Sequence, residues 1–179
     1  MDPLSVGDRA VLAEATRELR GLRRPTRLAS LTSGILLVFG VISVAWGAVS
    51  GGGGVFAGIA LIALGWNERR GRDRLLALEP EGASILGWNQ LALAGVVAVY
   101  GLLGILRAGE PTDPSMRQLE ELAGLSQDLV ADLTRMVYGS IIVAVTLVQV
   151  ILARYYFRQK ARVEDFRRRT PPWVIRTLV

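Results

Sequence analysis

Apolar residues fill four stretches of the chain, Leu28–Val49, Val55–Trp66, Ile85–Leu106 and Val137–Phe157, and charged residues fill the segments between them. The first, third and fourth stretches carry no acidic side chain over at least ~20 residues, enough for a helix to cross ~30 Å of hydrocarbon. The second is shorter, ~18 Å of helix from Val55 to Trp66. It reaches across if part of the glycine run 51–54 is helical and Arg69 and Arg70 extend their charged heads to the surface. A re-entrant segment is the alternative. The pattern predicts an all-α fold, an integral membrane four-helix bundle with spans at 28–49, 50–66, 85–106 and 137–157.

Arginine placement orients the spans. Of the 21 basic residues, 18 lie before the first span, between the second and third, or from Arg154 onward. The turn at Gly51–Gly54 is uncharged, and the third loop carries six acids against Arg107, Arg117 and Arg135. Positive residues in short loops near span ends stay cytoplasmic, so both termini are expected inside. Ala48-Val49-Ser50 resembles a cleavage site. The apolar run before it exceeds a signal-peptide core, however, and an acid-containing periodic segment precedes it, so a retained signal anchor is expected.

Helical periodicity extends outside the spans. In the cytoplasmic segment 1–27, Val11, Leu12, Ala15, Leu19 and Leu22 share one face of a helix over Asp8–Arg24, with Asp8 as its expected N-cap. Asp113 and Pro114 start a second amphipathic helix, 114–136, on the outer side. Leu119, Leu122, Ser126, Leu129, Leu133 and Met136 form its stripe. A short surface helix is expected at Asp73–Leu78. The tail 158–179 reads as a basic helix to Arg169, stopped by Pro171-Pro172, with an apolar end Trp173–Val179 that tucks onto the membrane surface, the bundle or a partner.

Small residues mark packing faces. Ser33, Gly40 and Gly47 recur every seven residues in the first span, and Gly51, Gly58 and Gly65 in the second, with Gly54 adding a Gly-x-x-x-Gly spacing. Lipid tails are as apolar as leucine, so membrane helices join where small side chains let backbones approach. A tight antiparallel hairpin of the first two spans follows. Polar groups inside the spans are Gln90, Thr146 and Gln149, and no charge lies within them. Gln149 is expected to bond across helices, with Gln90 or a second copy of itself. Interfacial contacts with lipid fall to Trp66, Trp88, Tyr155, Tyr156, Arg158, Arg162, Arg167, Arg168 and Arg169.

A short echo links two segments. Leu64-Gly65-Trp66-Asn67-Glu68 closes the second span and Leu86-Gly87-Trp88-Asn89-Gln90 opens the third. Interface chemistry alone accounts for a tryptophan with polar neighbours at that depth. The sharper alternative is a paired polar gate or docking site where the two segments meet.

Composition narrows the chemistry. The 179 residues include no cysteine and no histidine, which removes thiolate metal sites, disulfides and the usual near-neutral acid or base. No catalytic residue, metal-ligand cluster, cofactor motif or phosphate-binding glycine loop is recognised. The net charge of +5 sits beside spans, where anionic lipid rather than nucleic acid is the nearer partner. The Arg/Ala/Gly/Val bias suggests a bacterial cytoplasmic membrane. A non-enzymatic membrane protein acting by association is expected, as a homo-oligomer or an accessory subunit of a membrane partner. The alternative is a small homo-oligomeric channel lined by the third or fourth span.

Overall fold

The computed structural model describes residues 5–50, 54–108, 110 and 126–178, and these residues form helices without a strand among them. The helices are α1 (Val6–Leu22), α2 (Arg24–Ser50), α3 (Gly54–Leu76), α4 (Pro80–Arg107), α5 (Gln127–Arg169) and α6 (Pro172–Leu178). Three segments are long and apolar enough to cross a membrane: Val6–Val49, Pro80–Arg107 and Gln127–Arg169. Few side chains on their apolar stretches are buried, and Leu31, Ile35, Phe39, Val99, Leu147 and Ile151 are exposed. The protein is therefore all-helical with three membrane-length apolar segments. The expected second span does not meet that standard. Helix α3 is 23 residues long, but its second half turns to Asn67, Glu68 and four arginines.

Local chemistry sets the helix ends. Ser5 caps α1: its Oγ accepts from the Asp8 N–H at 3.1 Å, and the Asp8 carboxylate accepts from the Ser5 N–H at 3.2 Å. That reciprocal capping box corrects the expected cap, since Asp8 is the third helical residue and not the N-cap. The chain breaks only at Arg23 before α2, where Pro25 occupies the first turn and its missing N–H costs no helical bond. Ser126 caps α5, its Oγ accepting from the Leu129 N–H at 3.3 Å.

Three expected boundaries change. No separate surface helix occurs at Asp73–Leu78, because α3 runs unbroken to Leu76. The fourth span and the first part of the basic tail are one helix of 43 residues, since no proline or glycine interrupts the chain from Ser140 to Arg169. The end of the tail forms a further short helix, α6. Of the expected outer helix 114–136, residues 114–125 lie outside the described residues, and 127–136 are the first turns of α5.

The turn from α3 to α4 is a helix-stop motif. The Glu79 N–H donates to Arg74 O at 2.9 Å and the Leu78 N–H to Leu75 O at 3.1 Å, with Leu78 left-handed at φ 58°. Glycine usually holds that position. Leucine bears the strain because its side chain is buried, 2% exposed, against Ala15, Leu19, Phe166 and Val174.

Two compact units make up the chain, residues 1–90 with 151–179, and residues 91–150. In the first, α2 and α3 pack antiparallel through their small residues. A Cβ on Gly58 would stand 2.6 Å from Gly40 O, one on Gly40 would stand 2.9 Å from Gly58 O, and one on Gly65 would stand 3.2 Å from Ser33 O. Gly47 faces Gly54 and Val55 in the same way. Gly51 lies outside the described residues. The same unit holds two buried clusters. Ala29, Leu75, Ala83, Leu86, Tyr156 and Val163 form one, and Ala15, Leu19, Leu78, Phe166 and Val174 the other. Thus α6 folds back onto α1, and the Arg23 guanidinium donates to Leu178 O at 3.3 Å. In the second unit, Gly101 meets Ile142 and Gly104 meets the ring of Tyr138.

Candidate functional site: a buried carboxylate among amides

The two echoed pentapeptides meet. Asn67 on α3 donates through Nδ2 to Asn89 Oδ1 on α4 at 3.2 Å. Asn89 in turn donates from Nδ2 to Leu64 O at 3.1 Å and to Glu68 Oε2 at 2.9 Å. Gln90 donates from Nε2 to Glu68 Oε1 at 3.1 Å. The register explains the contact: residues 67 and 68 close α3's packed stretch just as residues 89 and 90 open the facing part of α4. In between, Gly71 and Gly82 admit close approach, a Cβ on Gly82 standing 2.6 Å from Gly71 O.

Burial at this junction is complete. Glu68 is 0% exposed, Asn89 1% and Gln90 1%. Among the described residues Glu68 forms no ion pair, although the chain holds 20 arginines. The adjacent Arg69 turns its Nε to Ser33 Oγ at 3.3 Å, and Ser33 itself donates to Gly65 O at 3.0 Å. The carboxyl therefore rests on neutral amides alone. Glu68 lies beyond the apolar run that ends at Trp66, and burial pushes its carboxyl from 4.5 up to about 7, against the lowering pull of the Asn89 and Gln90 bonds.

Two more buried polar atoms matter here. Gln90 Oε1 and the Tyr156 hydroxyl have no hydrogen-bond partner among the described residues. Tyr156 is 0% exposed, and its hydroxyl lies within electrostatic reach of Glu68. This corrects the expected interfacial role of Tyr156, whose ring belongs to the core, whereas neighbouring Tyr155 is half-buried. Trp66 and Trp88 stay 68% and 65% exposed, Trp88 meeting Phe157 edge-on at 5.9 Å between ring centres.

No charge is expected within the spans, and Glu68 lies just outside the second of them, yet it is buried. Sequence reading placed it in the interfacial loop because it follows the second apolar run and precedes the arginines. The signal that could have found it was the echo, which pairs Glu68 with Gln90 position for position. Gln90 donates to Glu68, and Gln149 Oε1 is buried without a partner among the described residues. Thr146 is half-buried.

Away from the cluster, two grooves carry arginine. One of about 550 Å³ is lined by Trp66, Arg69, Arg70, Asp73, Arg74, Ala77 and Glu79. Asp73 pairs with Arg72 at 3.2 Å and Glu79 with Arg74 at 3.8 Å, and among the described residues neither Arg69 nor Arg70 pairs with a carboxylate. The second, about 450 Å³, lies between α1 and α5 and holds Glu18, Arg162, Asp165 and Arg169 around Leu22, Tyr155 and Phe166. Its charges balance. Arg158, Arg167 and Arg168 are exposed outside it.

Comparison with known proteins supplies no relative: no family model, no curated protein and no solved structure matches the chain.

Proposed function

We propose that the chain is a non-enzymatic integral membrane protein of the bacterial cytoplasmic membrane that acts by association. It has four spans and both termini inside. In this reading α3 completes the crossing by pairing with α2, its glycine face buried in the hairpin and its arginines at the cytoplasmic surface. The observation that carries the proposal is the end built from α1, the last turns of α5, and α6. Those pieces share a core of Ala15, Leu19, Phe166 and Val174 and turn charged side chains outward. A folded, basic end beside membrane-length helices suits an anionic leaflet and a protein partner, either a second copy or another membrane protein. Trp66 with the unpaired Arg69 and Arg70 suits a lipid headgroup on the same side.

Orientation is tested with single cysteines, since the chain has none of its own. An impermeant thiol reagent on intact cells should label a cysteine at Ser115 and spare those at Ser84 and Thr170. Labelling at either of the latter overturns the topology. Association is tested by purification in mild detergent, where a mass above that of the monomer, or a co-purifying membrane protein, is expected. A monomer that brings nothing with it refutes the association reading. The buried Gln149 Oε1 favours a channel as the second reading, because this amide oxygen on α5 lacks a partner among the described residues. Conductance in liposomes that changes in Gln149→Leu would replace the first reading with this one.

A further inference from the structure

Glu68 sits where a charge is hardest to keep. It is fully buried, the next residue Arg69 is turned to Ser33, and its two hydrogen-bond donors are the amides of Asn89 and Gln90. An ionised carboxylate without a cation carries a desolvation cost that neutral donors repay only in part. A carboxylic acid in the same place has the opposite need, an acceptor for its O–H.

The two amides differ in how firmly they are held. Asn89 is fixed by three bonds: both Nδ2 hydrogens are used, on Leu64 O and Glu68, and Oδ1 accepts from Asn67. Exchanging its oxygen and nitrogen would break all three. Gln90 is held at its Nε2 by Glu68 alone, and its Oε1 is buried and unpartnered. The two ends of an amide have the same shape, so a half-turn of the Gln90 amide exchanges donor for acceptor without repacking.

We propose that Glu68 is a proton-binding site whose empty and loaded forms are each matched by one end of the Gln90 amide. Empty, the carboxylate accepts from Gln90 Nε2, as the structure shows. On loading, a proton from water bonds to the Glu68 oxygen that faces Gln90, the amide turns, and Gln90 Oε1 accepts the new O–H. On release the proton returns to water and the amide turns back. Because Glu68 belongs to α3 and Gln90 to α4, each proton exchange rewrites the bond that joins these two helices.

The groups around Glu68 leave it as the titrating member. From α5 only Tyr156, with Tyr155 behind it, acts on it electrostatically. From α4 come the neutral amides, on the α2 side the Arg69 guanidinium is held by Ser33, and on its own helix Arg72 is paired with Asp73.

Infrared difference spectra of the full-length protein in detergent, taken from about pH 4 to about pH 9, test the proposal. Above about pH 5.5, where the ordinary carboxyls are ionised, the wild type should show one protonated-carboxyl stretch, which disappears with a midpoint near 7 instead of 4.5. In D2O the band should shift, which marks it as an exchangeable acid without any variant. Glu68→Gln should abolish it, and Gln90→Leu should move its frequency, because the acceptor is gone. A band that survives Glu68→Gln overturns the proposal, as does a wild-type midpoint in the ordinary carboxylate range. A Gln90→Leu spectrum identical to the wild type overturns the amide's role in it. A purely structural Glu68 would give no titrating band in this range.

Discussion

Gly58 is a position where one added methyl group should do clear harm. A Cβ there would lie 2.6 Å from Gly40 O and 2.7 Å from the Val44 N, both backbone atoms of α2, and 2.7 Å from Val44 Cγ2. A side chain can swing aside, but a helix backbone moves only as a body. Restoring an ordinary contact of 3.4 Å from 2.6 Å requires α2 and α3 to part locally by ~0.8 Å. A gap of that size forfeits about a quarter to a half of each dispersion contact along the seam, which includes Gly40, Gly47 and Gly65. The expected cost of Gly58→Ala is about 1–3 kcal/mol, typical of overpacking. For a chain of this size that is a fall of roughly 3–10 °C in melting temperature, read by circular dichroism in detergent. Gly34→Ala on the facing helix α2 is the control. Its Cβ meets nothing within 4 Å, so it should gain about 0.5–1 kcal/mol by restricting the unfolded backbone. If Gly58→Ala melts at or above the wild type, or falls no further than Gly34→Ala, the close-approach seam does not hold these helices together.

Stability should depend on pH through Glu68. Its folded value is raised from 4.5 to about 7, so its full contribution is present below 4.5 and is lost as pH rises through about 7, a fall of about 3 kcal/mol in all. Melting temperatures across that window should drop in the wild type and stay level in Glu68→Gln; parallel curves would refute the assignment. Leu78→Gly should relieve ~1 kcal/mol of left-handed strain yet lose ~2–5 kcal/mol of buried side chain, for a net loss in melting temperature. A more stable glycine variant would show that strain outweighs packing there. Gln149→Leu should be neutral or slightly stabilising, because it removes a buried oxygen with no partner. A drop of several degrees would mean that another chain supplies one.

Much of the local structure is written in residue patterns. Apolar length identified the segments at 28–49, 85–106 and 137–157, because solvation by lipid depends on composition along a single helix and needs no partner. The seven-residue spacing of Ser33, Gly40 and Gly47 likewise pointed to a packing face, since periodicity maps directly onto a helix surface. The standing of α3 was less legible. Its apolar half is short, and its placement against α2 depends on contacts that hydropathy does not register.

The tertiary structure alone decided where Glu68 lies. By composition it is an exposed acid at the head of an arginine-rich segment. It becomes a buried carboxyl because α4 folds back across Gly71 and Gly82 and sets Asn89 and Gln90 against it. The same holds for Tyr156, apparently an interfacial aromatic but packed against Leu75, Ala83 and Leu86, and for α6, whose Val174 finds its core on α1. Burial is a property of what covers a residue, and the covering groups here lie 21 or more positions away in the chain. Sequence by itself determined which segments prefer lipid and which faces can pack. Only the fold determined which polar groups lost their water, Glu68, Asn89 and Gln90 among them.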